Sequence, residues 1–273
     1  MEVTLNQVVI PIVLMILFGV PHGALDGAII FRQFPTFRPR ALLLIGYLLL
    51  CIVCALLWAV LPTFCLVVFL AMSVWHFGQS DQSNSGYTAT HIWRVITDGG
   101  IWVILLPFSH QLAVRELFAV LGADASFTMQ MISWLIIPWA ILALANVAMR
   151  ILDGHGVGVI STLSFGVMSI LMPPLWSLCL YFCLWHSRRH VIRVLVELSS
   201  PRLGWIMMAL LTLITVLLAL LAFVCLPVST LWTEAVTQVF FIGLFALTVP
   251  HMVLIDLYLP WTDRVGPGDA VHD

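Results

Sequence analysis

Uninterrupted apolar runs of about twenty residues recur from residue 5 almost to the end of the chain, and each is long enough to cross a hydrocarbon core roughly 30 Å thick. Inside lipid every backbone N–H and C=O must find its partner within the spanning segment or a closed barrel. A succession of such long runs therefore folds as a bundle of membrane-spanning helices. The pattern predicts an all-α, polytopic bundle of about nine helices (range 8–10), at roughly 5–31, 41–61, 63–82, 91–109, 127–151, 155–171, 173–198, 203–226 and 232–259. Residues 1–259 read as one transmembrane domain and 260–273 as a short polar tail, while the amphipathic stretch 110–126 reads as an interfacial segment. The first apolar run has no basic region before it and no small-residue cleavage site after it, so it is expected to be a retained helix.

Charge placement bears on sidedness and on partners. Apolar residues make up 62% of the chain and charged residues 9%, and the formal net charge is −2, so nothing here resembles a nucleic-acid-binding surface. All the basic side chains are arginines. Arg32, Arg38, Arg40, Arg94, Arg150, Arg188, Arg189, Arg193, Arg202 and Arg264 fall on one side of a nine-helix bundle, with Arg115 alone opposite. Positive charge is retained in the cytoplasm, which predicts an outside N-terminus, a cytoplasmic C-terminus and residence in the cell (inner) membrane. The six cysteines lie inside apolar runs, and the Cys51–Cys54 pair has no matching second pair, so all six read as small apolar fillers.

Ionisable residues within a span are costly and functional by default. Here they form four boxes: PHGALD (His22, Asp26), WHFGQSD (His76, Asp81), WHSRRH (His186, His190) and PHMVLID (His251, Asp256). All four lie on odd-numbered predicted helices, a few turns before the cytoplasmic end, and so share one depth. A single buried histidine usually serves as an interhelical hydrogen-bond partner; several at one depth point to a shared metal. His186 and His190 are four apart and project from one helical face, as do His22 and Asp26. A metal-bound imidazole commonly donates its other N–H to a carboxylate, and Asp26, Asp81 and Asp256 are the candidates for that role. Neutral imidazoles suit iron, copper or zinc, and spacing does not choose among them. Pro21 and Pro250 are expected to kink their helices just before the histidines.

In order and character, the boxes resemble those of the Brp/Blh family of bacterial and archaeal β-carotene 15,15′-dioxygenases, and the resemblance runs from residue 21 to 256. It implies cleavage of the central double bond of β-carotene by O₂ and non-haem Fe²⁺, giving two all-trans-retinal molecules for a retinal-binding rhodopsin. The family's iron ligands carry over to His22, His76, His186 and His190, with His251 an alternative to His190 as the fourth. A rigid polyene about as long as a bilayer is thick could enter sideways from membrane lipid. Trp75, Phe77, Tyr181 and Trp185 adjoin the histidines and are the candidate substrate contacts.

Two other readings compete with this one. A membrane lipid oxidase of the desaturase or hydroxylase type would carry HxxxH and HxxHH boxes, and only His186–His190 fits such a pattern. A transporter or metal-ion carrier would need polar groups through the full depth of the bilayer, whereas the outer halves of the odd helices are almost free of them.

Overall fold

The computed structural model describes residues 5–80, 89–198, 201–227 and 231–258, and every secondary-structure element among them is helical. Nine long helices and one short one follow in sequence: α1 (Asn6–Gln33), α2 (Phe37–Val60), α3 (Pro62–Gln79), α4 (His91–Ser109), the short α5 (Gln111–Val120), α6 (Ala125–Leu152), α7 (Gly156–Leu171), α8 (residues 174–197), α9 (Pro201–Cys225) and α10 (Trp232–Ile255). Seven of them are long and apolar enough to cross a membrane. The expected polytopic architecture is therefore present. The tail 260–273 and Asp81 lie outside the described residues, as does the side chain of Asp256.

The second helix begins at Phe37, earlier than its apolar run suggests, because Arg40 folds back onto the end of α1. Its guanidinium donates to the carbonyls of Phe34 and Phe31 at 2.5 and 3.0 Å and lies over the Phe31 ring. Those carbonyls at the end of α1 have no partners within the helix, so the arginine satisfies them and complements the helix dipole. The short α5 matches the interfacial segment, and it turns Val114 and Phe118 into the core.

Small residues set the closest helix approach. A Cβ at Gly78 on α3 would collide with the backbone of Val95 on α4, and one at Gly99 on α4 with that of Val74 on α3. In lipid no hydrophobic effect draws helices together, so backbone proximity of this kind supplies the packing energy. Beside this seam, Arg150 of α6 is buried and pairs with Asp98 of α4 at 2.5 Å. The same guanidinium donates to the carbonyl of Gly158 and to Thr162 of α7. Counted from sequence among the helix-end charges on one side of the bundle, Arg150 ties α4, α6 and α7 together. Nearby, Asn146 donates to Thr97 at 2.7 Å and the Trp139 indole to the Thr97 carbonyl at 3.2 Å, so this polar layer is hydrogen-bonded throughout.

Wide π-turns interrupt four helices, at Met15–Gly19, Ile101–Leu105, Tyr181–Ser187 and Val253–Tyr258. Such turns accompany functional sites and change which face a side chain takes. Three of them adjoin or contain a histidine box. The turn in α1 lies just before Pro21, as a proline kink requires, whereas that in α10 follows Pro250 and that in α8 has no proline at all.

Candidate metal centre

Helices α1, α3, α8 and α10 bring all five box histidines into one cluster. Ring centroids lie 5.1 Å apart for His22–His186, 5.4 Å for His22–His251 and 5.6 Å for His22–His190. They lie 4.8 Å apart for His76–His186, 5.1 Å for His76–His251 and 5.5 Å for His190–His251. His22, His76, His186 and His251 are buried and His190 is half-buried. The predicted common depth therefore corresponds to a real three-dimensional cluster. The ligand atoms of His22, His76 and His251 lie within 4.8 Å of one another, as do those of Asp26, His190 and His251. His251 belongs to both sets, which gives it a more central place than its rank behind His190 suggested.

Hydrogen bonds fix which nitrogen of two of these rings carries the proton. His22 Nδ1 lies 2.5 Å from the carbonyl of Gly19, and a carbonyl only accepts, so Nδ1 carries the proton and Nε2 keeps its lone pair. The π-turn supplies that carbonyl, and Ser187 of α8 donates to it at 3.1 Å. His251 Nδ1 lies 2.9 Å from both oxygens of Asp26, an ion-pair geometry between two side chains each 4% exposed. The carboxylate orients His251 in the same sense, with Nε2 left for a ligand. Helical spacing pairs Asp26 with His22; the structure instead sets Asp26 of α1 against His251 of α10.

Sequence reasoning passed over Tyr47. Its hydroxyl donates to Asp26 at 2.9 Å and reaches the Leu247 carbonyl at 3.4 Å, so it completes a Tyr47–Asp26–His251 chain. The signal was a single phenol in the otherwise apolar ALLLIGYLLL, which reads as packing unless its partner is known.

An apolar cavity of about 350 Å³ opens beside the cluster, with His22, His76, His251, Asp26 and Tyr47 in its wall. A second cavity of about 100 Å³ lies behind it, and Phe77 and Phe182 are among the residues that wall both. Of the four aromatic candidates, only Phe77 lines these cavities. Tyr181 stacks on Trp102 at 4.1 Å and its hydroxyl lies 3.4 Å from the Phe77 carbonyl, which places it behind Phe77. Trp185 packs edge-on against Phe165 of α7 under the Arg189 guanidinium, and Trp75 is in the wall of neither cavity.

The sequence model of the family described as Beta-carotene 15,15′-dioxygenase matches residues 13–258. The chain is 31% identical over 260 residues to the protein named Beta-carotene 15,15′-dioxygenase of an uncultured marine bacterium, 66A03, covering 92% of this chain and 94% of that one. It is 27% identical over 288 residues to the protein named "Probable beta-carotene 15,15′-dioxygenase Blh" of Halobacterium salinarum, covering 92% and 82%. No solved structure matches it. The match runs through all four histidine boxes and nearly the whole bundle, and the chain belongs to the β-carotene 15,15′-dioxygenase family.

Proposed function

We propose that this protein opens the central double bond of β-carotene with O₂, using Fe²⁺ held by the histidine cluster, to give two molecules of retinal. The observation that carries this reading is the cluster of five imidazoles, three of which, His22, His76 and His251, stand in the wall of an apolar cavity. The donors fit iron: they are nitrogen ligands with one carboxylate behind them, and the Nε2 of His190 is buried with no hydrogen-bond partner among the described residues. His22, His76 and His251 would hold the ion. His186, in ring contact with His22 and His76, and His190, in ring contact with His22 and His251, would supply the further ligands.

When bound, Fe²⁺ supplies the electrons that make O₂ reactive towards an alkene. The chain's own groups do the rest. The apolar wall takes up the polyene and excludes water, which protects the aldehydes and leaves the histidine donors dry. Asp26 holds the proton on Nδ1 of His251 and offsets positive charge inside the membrane. In the net reaction one C=C bond breaks, two C=O bonds form, and one O₂ takes up the electrons of the broken bond, so no external reductant or proton donor is needed. The protein resides in the cell membrane with its C-terminus in the cytoplasm, on the strength of its arginine distribution, and its product suits a retinal-binding rhodopsin.

The test is chromatography of products after the detergent-purified protein meets β-carotene, Fe²⁺ and air. Retinal is expected, and a chelator should abolish it. A metal-loaded protein that leaves β-carotene intact would overturn the assignment.

A further inference from the structure

The two cavities differ in one respect that bears on how a long ligand is held. Among the residues lining the larger cavity, Leu48, Ile214 and Leu218 are also exposed on the outside of the bundle, at 53%, 43% and 52%. All three sit on α2 and α9. These helices lean on α1 and α10 but are not packed against each other, so a cleft runs between them from the outer surface to the histidines. The smaller cavity has no exposed residue in its wall, which includes Val114 and Phe118 of α5 and Leu121 just after it. Phe69, Ser73, Phe77, Phe182 and Leu244 wall both cavities, so the two adjoin across these side chains, with the histidines in the wall of the outer one.

We propose that the two cavities together form a measuring channel: a carotenoid enters from lipid through the cleft between α2 and α9, its leading ring passes the histidines and the shared side chains into the buried inner cavity, and Phe118 and Leu121 stop it. The inference rests on the proposed carotene cleavage. The two halves of β-carotene are identical, so a single stop at a fixed distance from the metal centre is enough to select the middle bond. The mouth opens sideways, where an apolar polyene is dissolved, and nothing in the path requires the ligand to pass through water.

Product length tests the stop, because a merely structural defect would lower the rate without moving the cut. Val114→Phe shortens the inner cavity and Phe118→Ala lengthens it. Each is expected to replace a large share of the retinal with an unequal pair of aldehydes, one longer than retinal and one shorter, where the unaltered protein yields retinal alone. If either variant cleaves β-carotene and yields only retinal, the stop is wrong.

The mouth is tested by Leu48→Trp combined with Leu218→Trp. We expect an approximately tenfold slower uptake of β-carotene, read from the bound polyene's absorbance, and retinal as the only product of what is cleaved. Uptake at the unaltered rate would overturn the entrance. Uptake is measured whether or not cleavage occurs, so a protein that takes up β-carotene through this mouth but forms no retinal would count against the dioxygenase reading and leave the channel standing.

Discussion

Asp26 illustrates how one side chain couples distant parts of the chain. It bonds His251 across a separation of 225 residues and accepts from Tyr47. Asp26→Asn removes the charge that fixes His251 and should lower iron affinity and retinal formation by about 10–100-fold, measured as bound iron per protein and as rate. Tyr47→Phe keeps the carboxylate and removes one donor. The expected loss is a few-fold in rate, corresponding to about 1 kcal/mol for one hydrogen bond, with the iron content close to normal at saturating Fe²⁺. The four boxes were legible in the sequence because ionisable groups are rare within apolar runs. The pairing was not, because the register of α1 against α10 is set by packing that no local pattern encodes. Tyr47 was hidden for a related reason: a phenol in an apolar helix looks the same whether its hydroxyl serves a carboxylate or a carbonyl.

At the scale of elements, the α4–α6–α7 corner is held by a charge pair far from the chemistry. Breaking the Arg150–Asp98 pair by Arg150→Ala leaves a buried carboxylate uncompensated and should cost about 3–5 kcal/mol, seen as a lowered melting temperature of the purified protein. Helix order, and roughly helix number, followed from the length of the apolar runs: about nine spans were expected, and seven of the described helices are long and apolar enough to cross a membrane. The π-turns did not, least of all the one at Tyr181–Ser187, where no proline marks it. That turn matters to the site. It shifts the helical phase just before His190, so the four-residue spacing of His186 and His190 does not by itself give their relation in space: both rings meet His22, but His186 also meets His76 and His190 meets His251.

For the whole molecule, the histidine cluster is the proposed iron site. Its histidines are already assembled, so Fe²⁺ should bind the folded protein and stabilise it by about 2.7 kcal/mol at a hundredfold excess over Kd. The check is a thermal melt with and without Fe²⁺, in which the upward shift should vanish for His22→Ala. The same assembly has a consequence for synthesis. His22 lies on the first helix and His251 on the last, and their ring centroids are 5.4 Å apart in the finished bundle. A nascent chain thus carries part of the ligand set for most of its translation and completes it only when the final helix has been released and has packed against the first. Under the proposed iron reading, the full five-histidine centre is completed late in biogenesis, and a chain truncated before α10 is left without His251 however well its earlier helices insert.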